Sequence, residues 1–272
     1  MRKLLLILPL VLGAAAAVAA DPVVNSGVTK DGLRFGWIGD KPTRPMPTVL
    51  FIGGAVEDSL VGPEYTEAMR TLGPRFLFAT LDIPGFGGDR REGEPGGIAT
   101  WRYRLDRNED FIGGFVRRAS TVLDHLIAER FTDPTHVAAF GTSRGSFLSL
   151  HFSAADPRVT HVAGYAPVTD LFALSEFAKM VNEQPARLIC ASRIADRLTE
   201  RKIWLIIGST DFRVSTERTM DFTERVVESA LAQGRIPAIE LHVQTSEGHR
   251  VPPFSYESGA RWLIRQWASD LK

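Results

Sequence analysis

The stretch that decides the fold is "HVAAFGTSRGSFLSLHF", His136–Phe152. Its apolar run at 137–140 is typical of a buried strand, and the apolar residues after Gly145 suit a helix. Between them lies a G-x-S-x-G pattern, a turn that holds its central serine in a strained conformation with the hydroxyl exposed. The sequence therefore predicts a strand, a sharp turn and a helix, with Ser143 as the candidate nucleophile.

The rest of the chain alternates strands with helices. Predicted strands lie in "LRFGWIG", which we expect at a sheet edge, and in "TVLFIGG", "FLFATLDIPG", "VTHVAGYAPVTD", "KIWLIIGSTD" and "AIELHVQTSEGH". Such alternation predicts an α/β fold, a mostly parallel sheet with helices on both faces. Open sheets of this kind place their chemistry at the carboxyl ends of the strands, so we look for partners of Ser143 there.

A serine hydroxyl needs a base before it can act as a nucleophile, and histidine is the usual one. The chain has six histidines. Five are predicted inside helices, inside a strand or at strand starts: His125, His136, His151, His161 and His242. His249 follows Gly248 in a loop just past the last predicted strand, which makes it the candidate base.

The base needs a carboxylate that orients it and stabilises its charged form. Asp211 ends the strand "KIWLIIGSTD" and stands between Ser143 and His249 in chain order. Asp170, at the end of "VTHVAGYAPVTD", is the alternative. If Asp211 is the acid, Asp170 is predicted to cap the helices that follow it.

An oxyanion formed during attack requires N–H donors fixed in advance. We expect one from the backbone of Arg144, directly after the nucleophile. The second is expected in the loop after "TVLFIGG", where a glycine pair allows close approach of the backbone, and either Gly54 or Ala55 is the candidate.

Composition and charge suit a globular enzyme. The 272 residues are 44% hydrophobic and 24% charged, and 32 basic residues balance 32 acidic ones. Nothing here favours binding to nucleic acid or to an anionic membrane, so a small molecule is the expected partner. Zinc-ligand spacings and phosphate-binding loops are missing from the sequence, and no metal or cofactor is expected. The single cysteine, Cys190, is interpreted as a buried apolar residue.

Residues 1–20, "MRKLLLILPLVLGAAAAVAA", have the basic start, apolar centre and small residues of a signal peptide. A membrane anchor is the less favoured alternative, because the strongly apolar part is shorter than a bilayer requires. We therefore expect an exported protein, periplasmic or secreted, with no stable membrane association after cleavage. Residues 21–272 are predicted to form one domain, with a small helical insertion at 170–200 before the strand that carries the acid.

Together these motifs resemble the α/β-hydrolase superfamily over nearly all of the mature sequence. The resemblance rests on "IGGA", "DIPGFGG", "GTSRGS", "GSTD" and "EGH" in that order. "GTSRG", "AADPRV" and "APVTD" are similar to the compact serine hydrolases grouped with prolyl oligopeptidase and dienelactone hydrolase. This resemblance implies an eight-stranded sheet and the triad Ser143, Asp211 and His249. Gly53 stands where the family usually has a histidine before the oxyanion glycine.

The leading functional hypothesis is a serine hydrolase that cleaves a carboxylic ester through an acyl-enzyme. A serine peptidase of the prolyl oligopeptidase group is the alternative with the same chemistry, and the absence of a propeller segment from the sequence favours the ester. A non-catalytic binding protein is a third reading. It gives no reason for Ser143, Asp211 and His249 to stand at three strand ends.

Arginines accompany all three candidate triad residues: Arg144, Arg213 and Arg250. Residues 89–108 are predicted as a long surface loop that either overhangs the site, bringing Trp101 and Tyr103 over it, or is simply exposed to solvent. If these groups face inward, they predict esters that carry a carboxylate, since guanidinium binds carboxylate in a two-pronged geometry. The alternative is that the arginines face solvent or pair with neighbouring acidic residues.

Overall fold

A computed structural model describes residues 23–180 and 190–270, so the predicted signal peptide at 1–20 lies outside the described residues. The strands are β1 Val24–Val28, β2 Arg34–Ile38, β3 Met46–Ile52, β4 Leu77–Leu81, β5 Thr132–Thr142, β6 Val159–Tyr165, β7 Lys202–Thr210 and β8 Ile239–Glu247. The α-helices are α1 Val56–Ser59, α2 Pro63–Leu72, α3 Ala99–Leu105, α4 Phe111–Ala128, α5 Arg144–Ala155, α6 Thr216–Ala232 and α7 Ser255–Gln266.

Within the described residues the strands form one open sheet in the order β1-β2-β4-β3-β5-β6-β7-β8. Strands β3 to β8 pair in parallel, while β2 is antiparallel to both β1 and β4. This is the α/β-hydrolase fold that the sequence predicted. The placement of "LRFGWIG" at the edge is wrong, because β1 covers the outer side of β2 through a full register from Val24↔Ile38 to Val28↔Arg34.

The core has two apolar layers because the central strands are buried on both faces. Along β5, Val137 and Ala139 contribute to one layer, while Ala138 and Phe140 contribute to the other. Helices α3 to α6 cover the first layer, and α2 and α7 cover the second. The sheet is thus clamped between helices, which fixes the carboxyl ends of β5, β7 and β8 relative to one another.

Residues 89–108 are not the plain surface loop that the sequence predicted. They contain α3, and Trp101 and Arg104 on this helix are buried, at 0% and 2% exposure. Many charged residues suggested solvent, but Arg104 is paired with carboxylates inside the protein.

The described part of the segment predicted as a helical insertion, 170–180 and 190–200, contains three short 3-10 helices: Leu171–Ala173, Ala178–Met180 and Ala191–Arg197. Residues 181–189 lie outside the described part. Across 23–180 and 190–270, we find no helix long and apolar enough to cross a membrane.

Candidate active site

Ser143 sits on the turn between β5 and α5, with φ 53° and ψ −114°. Positive φ is strained for a residue with a side chain, so the surrounding structure must enforce it. Glycines on either side make this possible: a Cβ on Gly141 would overlap the backbone of Gly145, and a Cβ on Gly145 would overlap the carbonyl of Ile52 on β3. The second glycine is therefore required by the neighbouring strand and not by the turn alone.

The structure brings Ser143, His249 and Asp211 together at the carboxyl edge of the sheet. His249 Nε2 lies 3.0 Å from Ser143 Oγ, and His249 Nδ1 lies 2.8 Å from Asp211 Oδ2. These three side chains belong to segments that follow β5, β7 and β8. Their hydrogen bonds form one continuous chain.

Asp211 is held rigidly, with its side chain at 0% exposure. Its second oxygen, Oδ1, accepts the backbone N–H groups of Arg213 and Val214, both at 3.1 Å. A carboxylate fixed in this way keeps Oδ2 directed at His249 and favours the imidazole with its proton on Nδ1.

Asp170, the alternative acid, lies elsewhere. Its Oδ1 accepts the N–H of Phe172 at 2.9 Å, which is the capping role predicted for it, and its Oδ2 lies 3.4 Å from Arg218 Nη1. The Cys190 thiol donates to the same Oδ1 at 3.2 Å, and burial raises the pKa of that thiol to about 12. Cys190 is thus a partly buried hydrogen-bond donor, not the purely apolar residue that the sequence suggested.

Nothing in the sequence indicated the two tyrosines that hold the turn carrying Ser143 in place by hydrogen bonds. The Tyr65 hydroxyl on α2 donates to the carbonyl of Ile52 at 3.1 Å and accepts the N–H of Thr142 at 3.0 Å. The Thr142 hydroxyl in turn lies 3.0 Å from the hydroxyl of Tyr256 on α7. Burial raises the pKa of Tyr65 to about 12, so it remains a neutral donor at physiological pH. Only the tertiary structure reveals these roles, since both tyrosines look like ordinary helix residues in sequence.

Of the predicted oxyanion donors, the backbone N–H of Arg144 opens α5 and has no acceptor among the described residues. The N–H of Gly54 is already donated to Ser59 Oγ at 2.9 Å, and that of Val56 to Asp82 Oδ1 at 2.8 Å. Ala55, the other candidate for the second donor, has an N–H without an acceptor in the described part of the chain.

Within the described residues, two cavities meet at Ser143. The smaller, about 250 Å³, is lined by Gly53, Gly54, Asp58, Ser59, Glu64, Tyr65, Phe86, Thr142, Ser143 and Arg144. The larger, about 470 Å³, is lined by Gly96, Ile98, Ala99, Ser143, Arg144, Val168, Leu174, Glu176, Arg213 and His249. Arg144 and Ser143 belong to both walls.

The residues predicted to bind substrate do not all lie at the site. The placement of Trp101 over the site is wrong, because its ring is fully buried and its Nε1 donates to the carbonyl of Pro84 at 2.8 Å. Tyr103 packs under the guanidinium of Arg107, 3.5 Å from the ring centroid, and lines neither cavity. Arg250 is exposed to solvent, and it too lies outside both cavities.

Arg213 does line the larger cavity. Its Nη2 is paired with Glu176 Oε1 at 2.9 Å, and the guanidinium holds the pKa of the Glu176 carboxyl below its ordinary value against the opposing effect of burial. This is the pairing with a neighbouring acid that the sequence left open as an alternative.

The arrangement of Ser143, His249 and Asp211 is suited to nucleophilic attack on an acyl carbon. His249 Nε2 is placed to take the proton of Ser143 Oγ, and Asp211 to stabilise the imidazolium that results. The adjoining N–H of Arg144 is placed at the positive end of α5, where an oxyanion is stabilised.

Comparison with known proteins agrees with this geometry. A sequence model described as the prolyl oligopeptidase family matches residues 116–267. No curated protein matches the chain in sequence. Among solved structures, TT1662 from Thermus thermophilus superposes with a TM-score of 0.66 at 19% identity, over 90% of this chain and 98% of that one.

Two further structures have activities in their names. A Mycobacterium tuberculosis puromycin-hydrolyzing peptidase superposes with a TM-score of 0.63 at 18% identity, over 91% of this chain and 38% of that one. An acetyl xylan esterase from Paenibacillus sp. R4 gives 0.63 at 16% identity, over 92% of this chain and 86% of that one. At such identities the likeness concerns the fold.

Proposed function

The chain belongs to the prolyl oligopeptidase family and is a serine hydrolase, and from that premise we propose that it cleaves carboxylic esters, after export, through an acyl-enzyme on Ser143. The observation that carries the proposal is the unbroken hydrogen-bond chain from Ser143 Oγ through His249 to Asp211.

In the proposed reaction, Ser143 Oγ attacks the ester carbon while His249 Nε2 takes the hydroxyl proton. The tetrahedral oxyanion accepts the N–H of Arg144, with Ala55 as the proposed second donor. His249 then gives its proton to the departing alcohol as the C–O bond breaks, leaving the acyl group on Ser143. Water, deprotonated by His249, attacks this acyl group and releases the acid and the free serine.

Esters are preferred to peptides in this proposal for two reasons. The acetyl xylan esterase is matched over most of its length, whereas the puromycin-hydrolyzing peptidase is matched over little more than a third. The larger cavity at Ser143, about 470 Å³, also has the dimensions of a small-molecule site. Peptide hydrolysis is the second candidate, since the family model itself is that of prolyl oligopeptidase.

Export is supported by residues 1–20 alone, whose basic start, apolar centre and small-residue end fit signal cleavage. Expression of the full chain in a bacterial host should yield a periplasmic or secreted protein whose amino terminus is Asp21. A protein that keeps residues 1–20 and stays with the membrane would contradict this part.

The test of the activity compares a short acyl ester, 4-nitrophenyl acetate, with an aminoacyl 4-nitroanilide, using residues 21–272. We expect a higher kcat/KM for the ester, and covalent labelling of Ser143 by a fluorophosphonate that Ser143→Ala abolishes. A higher kcat/KM for the amide would make the protein a peptidase. Absence of both labelling and turnover in folded protein would favour a binding protein.

A further inference from the structure

Arg144 has a charged side chain without a partner. Its Nε is buried and makes no hydrogen bond, and none of the ion pairs found in residues 23–180 and 190–270 includes its guanidinium. The guanidinium packs 4.3 Å from the ring centroid of Phe86, and a Cβ on Gly54 would lie 4.0 Å from its Nη2. Arg144 is therefore partly buried, with its guanidinium packed against the wall of the site and its Nε shielded from water.

Such an arrangement is costly unless something else compensates the charge. Removing a charged group from water costs several kcal/mol that an ion pair or hydrogen bonds must offset. Burial lowers the pKa of Arg144, and nearby Tyr65 opposes this only in part. Among the described residues, only the Phe86 ring and the nearby Tyr65 oppose this cost, and no carboxylate or hydrogen-bond acceptor does. This is the pattern of a group that meets its partner in a complex.

The location of Arg144 indicates where such a partner would bind. Its side chain lines both cavities beside Ser143, and it is bonded through its own backbone to the nucleophile. An anion held by this guanidinium would therefore lie in the same cavity as the ester carbon that Ser143 attacks.

The charges of the two cavities differ. The smaller one is lined by Arg144 together with the acidic residues Asp58 and Glu64. In the larger one, Glu176 is neutralised by Arg213 at 2.9 Å, so Arg144 leaves the wall with a positive excess. An anionic group is therefore favoured on the side of the larger cavity, and a neutral group on the other.

We infer that the Arg144 guanidinium binds a carboxylate of the substrate in the larger cavity, so that the substrates are esters carrying a free carboxylate. This inference rests on the proposed ester hydrolysis at Ser143. Carboxylate is the anion that fits, because a planar guanidinium presents two parallel N–H groups to its two oxygens.

The test uses two pairs of esters that differ only in charge. In 4-acetoxybenzoate and 4-acetoxybenzamide the carboxylate or its neutral replacement is on the alcohol side, and in phenyl 4-carboxybenzoate and phenyl 4-carbamoylbenzoate it is on the acyl side. For each pair, the ratio of kcat/KM for the acidic ester to that for the neutral ester is measured in wild type, Arg144→Gln, Arg144→Lys and Arg250→Gln.

We expect wild type to prefer the acidic ester in at least one pair. Arg144→Gln should lower that ratio about tenfold or more, the value of a hydrogen bond to a charged group, while the neutral ester changes by less than about threefold. Arg144→Lys should retain part of the preference, since it keeps the charge without the planar fork. Arg250→Gln, which alters an exposed arginine outside both cavities, should leave the ratio within about twofold.

Two results would overturn the inference while leaving ester hydrolysis intact. One is an equal loss for acidic and neutral esters in Arg144→Gln, which would assign the guanidinium to the reaction itself. The other is an unchanged ratio in a folded Arg144→Gln protein. Failure of wild type to hydrolyse any of the four esters, with turnover of an aminoacyl anilide, would instead refute the proposed function.

Discussion

Two regions of the molecule contain a shielded arginine, and they treat it in opposite ways. Around α3, Arg104 donates from Nε and Nη2 to Glu94, both at 2.8 Å, and from Nη1 to Asp89 at 2.6 Å. Arg118 adds a contact of 2.5 Å to Asp89. We call these four residues the Arg104 network. At the active site, Arg144 has no comparable partner among the described residues.

The difference separates structural charge from functional charge. In the Arg104 network, burial is offset by hydrogen bonds that tie residues 89–94 to α3, so the charges specify a local conformation. Arg144, which is only partly buried beside the nucleophile, has no such hydrogen bonds among the described residues. Changes at the active site should therefore affect turnover, and changes in the network should affect stability.

The largest expected effect is on turnover. Asp211→Asn should lower kcat by about 10³-fold or more, because an amide at this place favours the wrong tautomer of His249. Ser143→Ala should lower it further still, while the unfolding midpoint stays near that of wild type. Asp170→Asn is the matched control, since it alters the other strand-end aspartate, and it should retain kcat within about threefold. Steady-state kinetics on the preferred ester measure all three, and a larger loss for Asp170→Asn would move the acid role to Asp170.

The next effect is on stability. Arg104→Met should lower the free energy of unfolding by about 3–5 kcal/mol, because it leaves the buried Glu94 carboxylate without its main partner. Arg144→Met strands no carboxylate in the described part of the chain and should stay within about 1 kcal/mol of wild type. Urea denaturation followed by circular dichroism provides both values. If the two variants were equally destabilised, the distinction between the two arginines would not hold.

The smallest effect is a pH dependence of stability. Hydrogen bonding to Arg104 lowers the pKa of Glu94 from 4.5 to about 2, against the opposing effect of burial. A carboxyl with a lowered pKa in the folded state stabilises the fold above its unfolded value, and this stabilisation is lost as the pH falls from about 4.5 towards 2. The free energy of unfolding should therefore fall more between pH 5 and pH 3 in wild type than in Glu94→Gln, by on the order of 1–2 kcal/mol. Parallel curves for the two proteins would show that Glu94 does not titrate in this way.

The parts that sequence predicted well follow from short-range patterns. The apolar run before Gly141 and the strand ends at Asp211 and His249 can be recognised locally, and parallel strands bring such ends to one edge. The long helix α4 can be recognised in the same way, because six of its apolar residues recur at helical spacing and are buried: Phe111, Phe115, Ala119, Val122, Leu123 and Leu126.

The parts that sequence predicted poorly depend on contacts between distant segments. Trp101 looked like a lid residue because it lies among charged neighbours, but Arg104 is neutralised by Glu94, and both Trp101 and Arg104 are buried on one side of α3. The support of the nucleophile by Tyr65 and Tyr256 had no signal, since each tyrosine reaches the turn from a helix far away in sequence.

By itself, the sequence determined the α/β architecture and the order of the nucleophile, acid and base, because both are encoded by hydrophobic period and by residues placed at strand ends. Only the tertiary structure decided which arginines are paired. The sequence does not distinguish Arg104, Arg213 and Arg144, because an ion pair requires two side chains within about 4 Å of each other. That distance is set by how helices and loops pack on the sheet, and here it gives the first two arginines a carboxylate and leaves the third facing the site.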